Sequence, residues 1–100
     1  MVFDIHEISG IGSFEERTQE GNKIYYVPGG GKAFLVVNSN TIEVRTDDRL
    51  KKLLCEKFES VMESRYFGRV GIEIVMSGQL LEDELQDLVR LSYNLTLEEV

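Results

Sequence analysis

Basic side chains are concentrated in the middle of an otherwise acidic chain. The protein has 18 Asp and Glu against 11 Lys and Arg, and its formal net charge is −7. All seven bases of residues 33–75 nevertheless fall between positions 45 and 69. Clustered Lys and Arg neutralise nucleic-acid phosphates, so this stretch is the first candidate binding site. Its basic members are Arg45, Arg49, Lys51, Lys52, Lys57, Arg65 and Arg69.

The same stretch also has an explanation as the solvated side of a helix. Lys51, Lys52 and Lys57 are expected on its outward face, where charges are hydrated in any case. Glu56 and Glu59 lie among them and dilute the positive field. On charge alone, a phosphate-binding surface and an ordinary charged helix face are both open.

The run Gly29-Gly30-Gly31-Lys32 resembles a phosphate-binding loop only in part. A P-loop needs a hydroxyl residue after its lysine and leads from a strand into a helix. Here Ala33 takes the place of the hydroxyl residue, and a strand is expected to follow. The run is therefore predicted to be a flexible hairpin turn, with a weak anion-binding nest of backbone N–H groups as the alternative.

The single histidine and the single cysteine lack the partners that catalysis would require. One histidine excludes most zinc sites, and no Ser or Cys motif provides a nucleophile beside His6. Lys51 and Lys52, one turn before Cys55, would favour a redox-sensing thiolate. A half-buried apolar role is more typical of such a cysteine.

The acids before the last apolar repeat do not have the spacing of a metal site. A calcium loop alternates its oxygen ligands around a turn glycine, and that spacing is missing here. Acids in the first turn of a helix complement its dipole, which is the role we expect for this group. No metal ligand, cofactor or catalytic residue is predicted, and we expect a protein that is not an enzyme. The acids concerned are Glu82, Asp83, Glu84 and Asp87.

Five aromatic residues near the basic stretch offer a second route to nucleic acid, by stacking on bases. An RNA-recognition strand would carry another aromatic residue two positions after Phe34, where this chain has Val36. Packing in the core is therefore the expected role of most of these rings. They are Tyr25, Tyr26, Phe34, Tyr66 and Phe67.

Alternating and β-branched residues predict a three-stranded antiparallel meander over residues 23–27, 32–37 and 41–45. The second strand is apolar on both faces, which is typical of a central strand. The segment Asn38-Ser39-Asn40 supplies the turn that follows it.

The alternation of the third strand predicts which of its side chains are buried. Ile42 and Val44 are expected to face inward, and Glu43 and Arg45 outward.

Two helical periodicities and one further strand complete the pattern. Apolar spacing predicts a helix over residues 50–62, with N-cap candidates among residues 46–48. Alternation predicts a strand over residues 70–76, with residues 66–68 as a connector or the start of another strand. A last helix is predicted from the apolar residues between positions 81 and 95, and residues 1–8 fit a short helix or an irregular cover.

These elements predict a single domain, residues 1–100, of the α+β class: an antiparallel sheet of about five strands with helices packed on one face. No apolar run approaches the ~20 residues of a membrane span, and no signal peptide is recognisable. One cysteine excludes an intramolecular disulfide framework. We expect a cytoplasmic protein without membrane contact.

Local patterns resemble the MmcQ/YjbR family of small bacterial and archaeal proteins. The segment Gly31-Lys32-Ala33-Phe34 is similar to the family's glycine-lysine-aromatic approach to its second strand. The run from Gly78 to Ser92-Tyr93 is similar to its closing helix, which ends in a Ser-Tyr pair. Gly10 with Glu15 or Glu16 matches its N-terminal turn faintly. The chain lacks the tryptophan that members usually carry before the last helix.

This resemblance implies a helix-flanked sheet of about five strands, similar to that of type III secretion chaperones, and it implies DNA binding. Two functions are therefore predicted. The first is non-enzymatic DNA binding through the basic stretch. The alternative is a protein-interaction or dimerisation module without nucleic-acid binding, which buries a sheet edge or apolar helix ends. Ser92 and Tyr93 are predicted to be structural anchors of the last helix.

Overall fold

A six-stranded antiparallel sheet with two helices on one face is the framework of the protein. The computed structural model describes residues 3–29 and 31–99. Across the sheet the strands follow the order β1-β2-β3-β4-β6-β5. The predicted α+β class with helices on one face is confirmed, and the sheet has six strands where about five were expected. The elements are a short 3₁₀ helix (Ile5–Glu7), β1 (Glu15–Gln19), β2 (Asn22–Tyr26), β3 (Ala33–Val37), β4 (Thr41–Arg45), α1 (Asp48–Lys57), β5 (Val61–Ser64), β6 (Gly68–Val75) and α2 (Glu82–Glu98).

The main apolar core lies between the sheet and the helices. Alternate residues of the central strands, such as Leu35, Val44 and Ile72, are fully buried there. Leu85 and Val89 of α2 close the core over β3 and β4. Burial of this apolar surface is the main force that holds the two layers together.

The strand β1 was missed from the sequence because it has no apolar alternation. Its five residues are all exposed. What holds it is a two-residue turn to β2, in which Glu20 and Gly21 adopt φ of 52° and 83°. Two successive positive φ values form the turn whose twist matches an antiparallel hairpin.

The first helix ends earlier than predicted, so the prediction of a helix over residues 50–62 was wrong at its C-terminal end. Asp47 caps α1 by accepting a hydrogen bond from the Leu50 N–H at 2.7 Å, but the helix stops at Lys57. Val61 instead begins β5 and pairs with Ile74 of β6. Over a short segment, the same apolar spacing fits both the helical and the strand period. The β-branched Val61 is buried as part of a strand.

A serine hydroxyl of α2 bridges β3 and β4 beside a bulge in β3. Tyr25 pairs with Leu35 and Tyr26 with Ala33, so Phe34 is an extra residue on its strand. The Ser92 hydroxyl of α2 donates to the Phe34 carbonyl at 2.6 Å and accepts from the Arg45 N–H at 2.8 Å. The hydroxyl thus bridges Phe34 and Arg45 one position beyond the last β3–β4 pair, Leu35 and Val44.

Tyr93 joins α2 to the N-terminal segment. Its hydroxyl donates to the Ser13 carbonyl at 2.8 Å, and its ring packs edge-on against Phe34 at 4.9 Å between centroids. A Cβ at position 12 would lie 2.8 Å from the Tyr93 hydroxyl. Glycine at this position therefore lets the N-terminal segment pass close to Tyr93. Such contacts are expected of a structural anchor, the role predicted for Tyr93.

We expect Ser92→Ala to lower the free energy of unfolding by about 1–3 kcal/mol, because the Phe34 carbonyl and the Arg45 N–H both lose their partner. Urea denaturation followed by circular dichroism measures the change. Ser77→Ala, at an exposed position before α2, is the matched control and should stay within about 0.5 kcal/mol of the parent. A Ser92→Ala variant as stable as its control would contradict the bridging role.

Tyr93→Phe should cost about 1 kcal/mol, the usual net contribution of one hydrogen bond, because the ring contact with Phe34 is kept. The same denaturation experiment applies. Unchanged stability combined with a loss of partner binding would instead identify Tyr93 as part of a binding site.

Candidate functional site

The seven basic residues of the predicted nucleic-acid site lie on two faces of the protein. Five gather around α1: four are in the helix, and the fifth, Arg69 of β6, accepts a hydrogen bond from Lys51 Nζ at its carbonyl, 3.0 Å away. Arg65 lies on the opposite face of the sheet, which we call the helix-free face, and Arg45 lies at the end of β4 beside Glu99, the residue that follows α2. The structure therefore brings together Arg49, Lys51, Lys52, Lys57 and Arg69 only.

Three of the seven bases are engaged with carboxylates of the chain itself. Arg45 Nη2 lies 2.6 Å from a Glu99 carboxylate oxygen, and Lys51 Nζ lies 2.6 Å from Glu63 Oε1. Arg65 is held by Glu73. Among the described residues, the remaining four make no ion pair with a carboxylate.

A shallow depression lies between α1 and the β5–β6 edge of the sheet. It encloses about 280 Å³ and brings unpaired bases to an exposed strand edge. The charges in it are of both signs, three bases and two acids. Its lining consists of Asp48, Lys51, Lys52, Cys55, Glu63 and Arg69.

Helix α1 leaves much of its apolar side uncovered. None of its residues is buried, although Leu50 and Leu54 pack partly against the main core. Leu53, in the middle of the helix, is 57% exposed. The helix residues that line the depression share one side of α1, so Leu53 presents its apolar surface on a different side of the helix.

The two edges of the sheet differ in how well they are protected. β1 carries three charged residues in five and is exposed along its whole length, which discourages pairing with another strand. β5 has a single charged residue, Glu63, and its exposed Met62 faces the same side as Glu73. β5 is therefore the edge that is open to an added strand.

On the helix-free face, the turn between β5 and β6 folds back over the sheet. Glu63 pairs with Ile72 but Ser64 pairs with Gly68, so three residues of β6 bulge and bend the hairpin. A Cβ on Gly71 would lie 2.6 Å from Phe67 Cβ and 2.6 Å from the Val44 carbonyl oxygen. Only glycine fits this bend. The turn of residues 65–67 is called the hairpin tip below.

Two glutamates directly opposite each other hold the hairpin tip. Glu43 of β4 and Glu73 of β6 are cross-strand partners and only 4% and 3% exposed. The Glu43 carboxylate oxygen Oε1 accepts from the Ser64 hydroxyl at 2.8 Å and from the Tyr66 N–H at 2.9 Å. The prediction that Glu43 faces outward was right about its direction, away from the helices, and wrong about its exposure, because the tip covers it.

Arg65 neutralises the second glutamate. Its Nε and Nη2 donate to the two oxygens of Glu73 at 2.9 and 2.7 Å, a bidentate pair. These bonds hold the pKa of Glu73 below its ordinary value of 4.5, with a contribution from the Thr41 hydroxyl, although burial acts in the opposite direction. Glu73 is therefore a carboxylate in the folded protein at neutral pH.

Beside the tip lies a cleft of about 350 Å³ with a mixed lining. Ile24 and Val36 form its apolar floor, and Glu43, Arg65 and Tyr66 line it as well. Partial burial and a hydrogen bond to Tyr26 raise the pKa of the Tyr66 phenol. Tyr66 lines the cleft together with Ile24 of β2.

The aromatic residues considered for base stacking are divided between the two faces. Tyr25 and Phe34 belong to the main core, whereas Tyr26 and Phe67 pack on the helix-free face around Ile24, Ala33 and Val36. Tyr66 stands edge-on to Phe67 at 4.9 Å between centroids. No surface collects all five rings.

Among the described residues, the single histidine and the single cysteine are not part of a cluster that could bind a metal ion. His6 is exposed and Cys55 is half-buried. Within residues 3–29 and 31–99, no three His, Cys, Asp or Glu side chains are placed to hold a metal ion. In the same ranges, no helix has the length and apolarity that crossing a membrane requires.

Comparison with known proteins finds no matching family, no similar curated protein and no similar solved structure. The resemblance to the MmcQ/YjbR family, which rests on a few residues of the sequence, therefore stays a prediction.

We expect Arg65→Gln to lower the melting temperature at pH 7, because Glu73 remains buried without its cation. The pKa of Glu73 is lowered on folding, so this stabilisation is complete above its ordinary pKa and is lost as the pH falls through the folded value. The difference from the parent should therefore shrink between about pH 5 and pH 3. Differential scanning fluorimetry across that range measures it.

Arg49→Gln is the matched control, since Arg49 is exposed and makes no ion pair with a described carboxylate. It should leave the melting temperature unchanged at every pH. If Arg65→Gln lowers the melting temperature equally at all pH values, the ion pair does not explain the effect.

Proposed function

We propose that the protein is a non-enzymatic protein-interaction domain that binds an extended, acidic segment of a partner along β5. The observation that carries the proposal is the open edge of β5 beside a helix with no buried residue. Adding a strand to such an edge satisfies its free backbone groups and covers the exposed Met62 at the same time.

Backbone pairing would supply the affinity, and side-chain alternation the specificity. Every second residue of an added strand would face α1 and the depression, where Lys52 lies. The residues between them would face the other side, towards Met62. The partner segment is therefore expected to carry apolar side chains at alternate positions.

The charges around the depression determine which charged partner fits. Lys52 and Arg69 line it and make no ion pair with a described carboxylate. A basic segment would meet these two cations, whereas an acidic side chain would pair with them. This complementarity is the reason for choosing an acidic partner segment.

DNA binding by the same basic residues is the competing proposal. Five of them lie around α1, which gives phosphate contacts a common surface. Asp48, Glu56 and Glu63 lie on that surface as well and weaken its field. Interleaved charges of both signs favour a protein partner, and DNA becomes the alternative outcome of the experiment.

Fluorescence anisotropy with labelled peptides of about six residues tests the proposal, since this is a common strand length. A peptide that alternates Val with Asp should bind. The same peptide with Lys in place of Asp, or with Pro at its centre, should not, because it repels Lys52 and Arg69 or breaks the backbone pairing. Binding should weaken only in part at ~0.5 M salt, since backbone pairing and apolar burial are little screened whereas the contacts with exposed Lys52 and Arg69 are.

Lys52→Glu should weaken binding of the Val-Asp peptide, and Lys23→Glu, the same charge reversal at an exposed residue of β2, should not. Equal binding of the Pro-containing peptide, or no binding of the Val-Asp peptide, would contradict the proposal. Labelled mixed-sequence duplex and single-stranded DNA are measured in parallel at ~20 and ~200 mM salt. DNA binding that collapses at the higher salt, and with Lys51 and Lys52 both changed to Glu, would replace it by the DNA-binding function.

A further inference from the structure

We infer that the cleft beside the hairpin tip is a binding site for a small primary amine that carries an apolar or aromatic group. The site lies on the helix-free face, away from α1 and the depression, and is independent of the proposed protein-binding edge. Three observations carry the inference: a buried carboxylate that is half used, an uncompensated negative charge and an apolar floor.

The carboxylate is that of Glu43. Only one of its two oxygens holds the hairpin tip. Oε1 accepts both the Ser64 hydroxyl and the Tyr66 N–H. Oε2 has no hydrogen-bond partner among the described residues, although Glu43 is only 4% exposed and lines the cleft. Oε2 is not itself fully buried, so it faces the solvent of the cleft, and a ligand that donates a hydrogen bond to it would replace water there.

The charges of the helix-free face select a cation. Glu73 is neutralised by Arg65, so the pair of glutamates keeps one net negative charge, on Glu43. Arg45 is ion-paired with Glu99, and Arg17 stacks on the Tyr26 ring at 4.8 Å. Arg65 acts on Glu43 only through space, and Glu43 makes no ion pair with a described cation, so an ammonium group would supply both a direct charge partner and hydrogen-bond donors.

The remaining lining selects what the amine must carry. Ile24 and Val36, 3% and 2% exposed, make an apolar floor, and the ring of Tyr66 stands beside it. Asn22 of β2 lies at the rim. A cleft of about 350 Å³ is in the size range of small-molecule sites, and a short apolar or aromatic group fits over this floor.

A series of three compounds of one shape and different charge tests the inference: 2-phenylethylamine, 2-phenylethanol and phenylacetate. Each is titrated into the ¹⁵N-labelled full-length protein and followed by ¹H–¹⁵N correlation spectra. We expect 2-phenylethylamine to shift the amides of Ile24, Val36 and Tyr66, with a Kd of about 1 mM for a ligand so small. The alcohol should bind about tenfold more weakly, and phenylacetate should not bind.

Glu43→Gln keeps the shape of the side chain and one acceptor oxygen, and it should weaken the binding of 2-phenylethylamine about tenfold. Glu56→Gln on exposed α1 makes the same chemical change outside the cleft and should leave the Kd unchanged. If Glu43→Gln does not give a folded spectrum, Asn22→Phe replaces it, because a ring at the rim obstructs the cleft without touching Glu43.

Absence of shifts with 2-phenylethylamine would overturn the inference. It would also be overturned by equal binding of the three compounds, or by a Kd that neither Glu43→Gln nor Asn22→Phe changes. None of these results bears on peptide binding at β5, so the two proposals fail separately.

Discussion

The placement of two carboxylates directly opposite each other on neighbouring strands constrains the whole helix-free face. Glu43 and Glu73 would repel each other if the face were simply covered by apolar groups. The chain avoids this by bending the β5–β6 hairpin at Gly71, which brings Arg65 and two further donors onto the pair. The second apolar cluster, the cleft and the position of Tyr66 all follow from that bend.

The helix-covered side of the protein could be predicted from periodicity. The alternation of Ile42 with Val44 and of Ile72 with Ile74 identifies the inward faces of β4 and β6. The leucines of α2 identify the helix that covers them. These residues follow binary patterns because one side of each element meets the core and the other does not. The fold class depends on little else, which is why it was correct.

The candidate sites could not be predicted because they depend on contacts between distant residues. Glu43 in an alternating strand looks like any solvent-facing glutamate, and only the folded tip, twenty and more positions later, makes it buried. The basic residues share a stretch of sequence, yet the sheet separates Arg65 from the bases around α1, and Arg45 is held at Glu99 after α2. A usable signal was Gly71, which lies between the β-branched Val70 and Ile72 in a strand and is typical of a bend.

The hydroxyl of Ser92 has a consequence for how the molecule comes apart. Because a helix side chain completes the junction of β3 and β4, α2 cannot lift off the sheet without also freeing the Phe34 carbonyl and the Arg45 N–H. Undocking of the helix and fraying of the central strands are thereby coupled into one opening event. The Arg45 amide should exchange its hydrogen only at the rate at which α2 departs, so the middle of the protein behaves as one cooperative unit.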